Sequence, residues 1–418
     1  MLKLDSKLYL SSVAYNYYQE DFWNKIREES ASGGKFVVDI SKLYKPQRFV
    51  SRLGEWSTPW PQEIPPGFEM PAYDPNFNRS FSDVSNQRAQ DIGSLIREKN
   101  QKFAVMYSGG IDSTVIMSAL IKNLTPEELK NVVVCANSHS MIENPVFWKK
   151  FIWNKFEILD SSKFKYDDLI DLGLHPITAD EGDCIFGTMS FLDLQQNYEY
   201  YVNKIESTES KIHLLNLKSK MTSGDVHYSK FKDLIIKHWS IPSNPDLGKD
   251  WYDKFDKNIV TSKYPVTSLH DYYWWVLFNI KWVSCAIRIP VYLNDRINCG
   301  TVINEWAINW FNSVPYQQWS MANNNNGEKI VQGPTTYKMA ARKYIYDLDK
   351  NDWYFFFKLK MGSLGPNVMY RQEVDHLPLR MRPNARFGID SEYNLLSIDD
   401  TDVQDYVRHH MSTFEKDW

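Results

Sequence analysis

The chain has 418 residues, 43% of them hydrophobic, enough for two or three domains with sizeable cores. Its formal net charge of −4 excludes a global basic field that would draw it to nucleic acid or anionic lipid. The longest wholly apolar run, YYWWVLF at 272–278, is far short of the ~20 residues of a membrane span, and MLKLDSKLYL lacks the extended apolar core of a secretory leader, so a cytoplasmic, non-membrane protein is expected.

In chain order, KFVVDI at 35–40 is strand-like and is followed by STPWPQEIPPGFEMPAYDP at 57–75, too rich in proline for a long regular element. Residues 1–95 therefore read as an N-terminal arm or cap. KFAVMYS at 102–108 predicts a buried strand, TVIMSALIKNL at 114–124 a helix, and NVVVCANS at 131–138 a second buried strand. Between them, Thr125-Pro126-Glu127-Glu128 has capping-box spacing with proline at the first helical position. FEILDSS at 156–162 and HPITADEG at 175–182 predict further strands, so 96–245 is expected to be an α/β domain on a parallel sheet. Residues 246–418 read as mainly helical, with SLHDYYWWVLFNIKW at 268–282 opening on a Ser268/Asp271 capping box, then TTYKMAARKYIYDL at 335–348 and DWYFFFKLKM at 352–361. The aromatic run at 272–282 covers all sides of a helix and is expected in the core. Cys135, Cys184, Cys285 and Cys299 form no C-x-x-C pair, so buried reduced thiols are expected rather than a disulfide framework or zinc site.

The stretch YSGGIDSTV at 107–115 lies where the first strand of the parallel sheet hands over to its helix, the place at which open α/β sheets bind ligands. Two glycines allow a tight turn and close approach of backbone N–H groups, and the helix N-terminus adds positive partial charge, so the turn suits phosphate. Ser108 and Ser113 can add hydroxyl donors. Asp112 would repel phosphate unless a cation lies between, which points to Mg²⁺. A β-branched residue at Gly109 or at Gly110 is expected to block the approach and abolish binding of the phosphate ligand while leaving the fold largely intact.

S-G-G-I-D-S resembles the pyrophosphate-binding loop of the N-type ATP pyrophosphatases, S-G-G-x-D-S. About seventy residues on, Ala179-Asp180-Glu181-Gly182-Asp183-Cys184-Ile185-Phe186-Gly187 is similar to the asparagine synthetase segment S-G-E-G-A-D-E-L-F-G, one residue shorter between Gly182 and Asp183. Leu377-Pro378 with Arg382-Pro383-Asn384-Ala385-Arg386-Phe387 resembles the C-terminal L-P…R-x-K-x-x-F stretch of the same family, with Asn384 at the family's lysine position. Leu2 stands where the glutamine-dependent enzymes expose their cysteine nucleophile. The resemblance thus implies a synthetase domain without its glutaminase, on an adenine nucleotide alpha hydrolase-like α/β fold.

It further implies a mechanism. The β and γ phosphates of ATP would lie on Ser108, Gly109, Gly110, Ile111, Asp112 and Ser113, with adenine against Val134 to Asn137 and magnesium at Asp112 and Asp183. A small-molecule carboxylate or amide oxygen would attack the α phosphorus, and ammonia or an amine from an external nitrogen source would then take the activated carbon, with Glu181 orienting that nucleophile or taking its proton. The missing lysine charge would come from Arg386, with Lys338 and Lys360 next. Two other readings stay open: a relative acting on tRNA, DNA or a deazapurine, and a module that binds ATP without turnover. For Glu181 and Asp183 the plain alternative is a pair of solvated acids at a strand end.

Overall fold

The computed structural model describes residues 2–3, 37–38, 51–53, 69–161, 166–187, 189–240, 246–262, 264–282, 306–323, 329 and 337–358. They fall into two compact units. The sheet unit takes its described residues from Arg79–Asp180, Tyr292–Ser313 and Ala340–Trp418; the helical unit takes its own from Met1–Asn78, Glu181–Val291 and Val314–Met339.

The sheet unit opens on helix α1 (Phe81–Lys99), whose start is a capping box: the Ser80 hydroxyl accepts from the Asp83 N–H and Asp83 accepts from the Ser80 N–H. Strand β1 (Lys102–Met106) follows, then α2 (Ile111–Asn123), α3 (Pro126–Leu129) and β2 (Val132–Ala136). The expected Thr125/Glu128 box is present and starts α3 at Pro126. Helix α4 (Ser138–Glu143) leads on to β3 (Glu157–Asp160), and α5 (Tyr166–Asp171) leads to β4 (Leu174–Thr178). Strand β5 (Ile308–Asn309) completes a five-stranded, all-parallel sheet of order β3-β2-β1-β4-β5. β5 has only two residues and lies in the region whose sequence reads as mainly helical.

The α/β expectation therefore holds for this unit. All five residues of β2 are buried, as a parallel strand covered on both faces requires. Val105 of β1 sits opposite Val134 on one side and Ile177 on the other, which places β1 at the centre of the sheet. The Arg88 guanidinium on α1 donates to the carbonyls of Asn309 and Trp310, both at 3.2 Å, holding the end of β5. Helices α6 (Met339–Asp349) and α7 (Asp352–Phe357) form a short hairpin that belongs to this unit from Ala340 on.

The helical unit is built around the aromatic run. Residues 272–280 are almost completely buried, as the sequence predicts. The helix Leu269–Trp275 continues as a π-helical stretch, Val276–Lys281, where the Asn279 carbonyl accepts from the Arg52 N–H at 3.3 Å. Trp274 and Trp275 satisfy their indole N–H groups on Ser320 and Asn258, each at 2.8 Å, so both rings are buried without a lost donor. The Ser268/Asp271 capping box is present and wholly buried. Ser268→Ala should therefore cost about 1–2 kcal/mol, the upper part of the range for a lost cap, read as a lower urea midpoint with an unchanged slope.

Cys135 and Cys184 are free, buried thiols as expected; Cys285 and Cys299 lie outside the described residues. Val37 and Val38, inside the predicted strand-like piece, pair antiparallel with Leu2 and Lys3. No helix among the described residues is long and apolar enough to cross a membrane.

Candidate functional site

From β1 the chain crosses to β2 on one side, and from β3 it returns to β4 on the other side of β1. The connections leaving the carboxyl ends of β1 and β4 therefore diverge, which opens a crevice at that edge of an α/β sheet. The loop 107–113 leaves from this point. Tyr107 N–H still bonds to the Cys135 carbonyl at 2.9 Å, and Gly109 then turns into the left-handed region at φ 73°. A Cβ at Gly109 would come within 2.3 Å of the Ser140 carbonyl oxygen and 2.9 Å of Glu143 Cβ, so only glycine fits.

Gly110 is the extended N-cap of α2 and brings no side-chain cap, leaving the first turn of a 13-residue helix facing the loop. The two serines brace the turn. Ser113 Oγ accepts from the Ser108 N–H and donates to the Gly110 carbonyl, both at 3.1 Å, and Ser108 Oγ accepts from the Gly110 N–H at 3.2 Å. Their hydroxyls also meet at 3.0 Å, so in this structure they shape the cradle rather than point outward as spare donors. Ile111 is buried and Asp112 half-buried on the first turn of α2.

Val134 lies in the middle of β2, buried between β1 and β3. Asn137 is 3% exposed at the end of β2, where its side chain accepts from the Ser140 N–H and caps α4. That cap sets the position of Ser140, whose carbonyl forms the wall against Gly109.

Three groups absent from the sequence reading complete this wall. Glu143 at the end of α4 pairs with Lys358 at 2.8 Å, with side-chain exposures of 8% and 2%. The same carboxylate oxygen lies 3.6 Å from where a Gly110 Cβ would stand, so a buried lysine is held beside the cradle. Tyr354 on α7 donates its hydroxyl to the Gly109 carbonyl at 3.0 Å. The only trace of Lys358 in the sequence is its place in DWYFFFKLKM, two residues from Lys360. Nothing local marks Glu143 or Tyr354.

Glu181, Asp183 and Lys338 lie in the helical unit. Glu181 is completely buried and its carbonyl accepts from the Cys184 and Ile185 N–H groups at 2.9 and 3.0 Å, so the solvated-acid alternative fails for it. Arg52 is its charged neighbour. Burial pushes the Arg52 guanidinium down to about 9, while Cys184, Glu181 and Glu69 act the other way, so it is cationic at neutral pH. Arg52 stacks over Trp282 at 4.6 Å and donates to the carbonyls of Glu69 and Phe278, at 2.7 and 3.2 Å.

Lys338 is 4% exposed and forms an ion pair with Asp183 Oδ1 at 2.7 Å. Its backbone adopts φ 54°, a strained conformation for a residue with a long side chain. The structure thus joins two of the predicted residues, but as a lysine–carboxylate pair, and Asp112 and Asp183, both assigned to magnesium, belong to different units. Among the described residues no cluster of three or more His, Cys, Asp or Glu side chains could hold a metal by itself. Arg386, Asn384 and Lys360 lie outside the described residues, as does all of 377–389.

No family model, curated protein or solved structure matches the chain.

Proposed function

We propose that the chain is an AMP-forming, ATP-dependent carbon–nitrogen ligase of the N-type ATP pyrophosphatase kind, and that its sheet unit has the adenine nucleotide alpha hydrolase-like fold. The observation that carries this reading is the cradle after β1. A left-handed glycine with no room for a side chain, a helix N-terminus without a side-chain cap and a buried lysine meet at the switch point of a parallel sheet. This donor set suits a polyphosphate: backbone N–H groups and the helix end meet spread negative charge, and Lys358 adds the cation whose usual position in the resemblance is taken by Asn384.

In the proposed reaction an oxygen of a substrate carboxylate or amide bonds to the α phosphorus of ATP, and the bond from that phosphorus to pyrophosphate breaks. Ammonia or an amine then bonds to the activated carbon, AMP departs with the oxygen, and the nitrogen gives up a proton. Positioning and charge stabilisation supply the rate, with little covalent help from the chain. Magnesium would be held through Asp112 together with phosphate oxygens and would neutralise their charge, the usual division of ligands for this ion. Asp183, already paired with Lys338, is the less available carboxylate. The resemblance assigns Glu181 to the second half-reaction, and its complete burial suits a carboxylate kept from water for proton transfer.

An ATP–pyrophosphate exchange screen with radiolabelled pyrophosphate over amino acids and nucleobase acids tests the reading. Exchange driven by a small acid supports it. Exchange only with a polynucleotide or a base would move the assignment to a nucleic-acid-modifying relative, and ATP binding without exchange would leave a nucleotide-binding module. Within the ligase reading, Glu181→Gln should retain exchange yet lose amide product, because proton handling is removed and adenylation is not. Loss of both, or of neither, removes Glu181 from the second step.

A further inference from the structure

The loop is held from outside by a hairpin that the phosphate motif does not announce. Tyr354 is 1% exposed, and its hydroxyl lies 3.0 Å from the Gly109 carbonyl and 3.3 Å from Thr114 Oγ1. It sits on α7, a helix tied at both ends. The Asn351 side chain accepts from the Tyr354 N–H at 3.1 Å at the start. At the far end the fully buried Arg342 of α6 donates to the carbonyls of Phe355 and Lys358, both at 2.8 Å. Tyr354 and Lys358 are four residues apart and so share a face, the first reaching Gly109 and the second Glu143.

We infer that Tyr354 is a positioning residue for the nucleotide loop, locked in place by Arg342, an inference that rests on the nucleotide reading proposed above. The reason is peptide geometry. In a trans peptide the C=O and the following N–H point in opposite directions, so pinning the Gly109 carbonyl fixes the direction of the Gly110 N–H at the mouth of the cradle. Glycine in the left-handed region has no side chain to restrain that rotation. Within the loop Ser108 Oγ accepts from the Gly110 N–H at 3.2 Å, and Thr114 Oγ1 donates to the Gly109 carbonyl at 3.4 Å; the Tyr354 phenol adds the shorter bond to that carbonyl, from another element.

Tyr354→Phe removes only that oxygen. Tyr344→Phe is the matched control, because Tyr344 donates to Asn86 Oδ1 at 2.7 Å in the same unit, on helix α1 rather than on the loop. In the full chain, Tyr354→Phe should weaken MgATP binding by calorimetry, and raise the KM for ATP in pyrophosphate exchange, about three- to tenfold, the worth of one hydrogen bond. Its thermal midpoint should fall no further than that of Tyr344→Phe, and amide exchange at Gly110 should quicken in Tyr354→Phe alone. Equal ATP affinity in Tyr354→Phe and the unsubstituted chain, or unchanged exchange at Gly110, overturns the inference. If the unsubstituted chain binds no MgATP, the ligase reading falls, and the amide exchange by itself then decides whether Tyr354 holds the loop.

Discussion

Gly109→Val should abolish MgATP binding and cost on the order of 3–5 kcal/mol of stability. A valine there must adopt φ near 73°, which costs roughly 1–2 kcal/mol for a residue with a Cβ and more for a branched one. It must also displace the Ser140 carbonyl, 2.3 Å from the new Cβ, and that oxygen belongs to backbone that cannot rotate away. Overpacking of this kind adds about 1–3 kcal/mol. The neighbouring glycine behaves differently. Gly110 is extended at φ −71°, and its Cβ would meet first a serine hydroxyl at 3.2 Å, which can shift. Gly110→Val should therefore stay within about 1 kcal/mol of the unsubstituted chain in urea denaturation while still obstructing phosphate. The motif alone makes the two positions look interchangeable, with the fold spared at both; the structure keeps that expectation for Gly110 and withdraws it for Gly109. Normal MgATP affinity in a stably folded Gly110→Val would remove the loop as the phosphate site.

Lys358→Met should be both unstable and inactive, and a second substitution separates the two effects. The Glu143–Lys358 pair is buried, so removing the lysine strands a carboxylate and should cost about 3–5 kcal/mol. Adding Glu143→Gln removes the stranded charge and should restore most of that loss, because replacing both members of a buried pair is often nearly neutral. Activity should not return with it. If Lys358 meets the charge that develops on the triphosphate, the double variant should exchange pyrophosphate about 10²–10³-fold more slowly, the size of one lost transition-state donor. Denaturation curves and exchange rates on the same preparations check both halves. A double variant that folds and turns over normally would make Lys358 a structural residue and pass the role of cation to Arg386, Lys360 or Lys338.

The residues legible in the sequence are those whose partners lie close along the chain. The Thr125/Glu128 and Ser268/Asp271 boxes bond across three residues, and both form where the spacing places them. The same holds for β1 to β4, each of which lies inside a short segment whose apolar residues read as a strand, most clearly the valine run of β2. β5 escapes because two residues carry no periodicity, and its place is decided by pairing with Ile177 and Thr178.

The candidate site divides along the same line. Gly109, Gly110 and Asp112 announce a tight strand-to-helix turn because tight turns and helix starts are local events. By itself, then, the sequence determined a parallel α/β sheet, the tight glycine turn after its first strand, the helix caps and a buried aromatic run. Only the tertiary structure decided which charges surround the loop and which acids are buried. Lys358 reaches Glu143 across 215 residues and Tyr354 reaches Gly109 across 245; Lys338 and Asp183 meet inside a different unit from Asp112. A lone lysine or glutamate in a sequence reads as solvated, since burying it unpaired is prohibitive. It becomes a site residue only when distant packing excludes water and supplies the opposite charge, and no local pattern records that event.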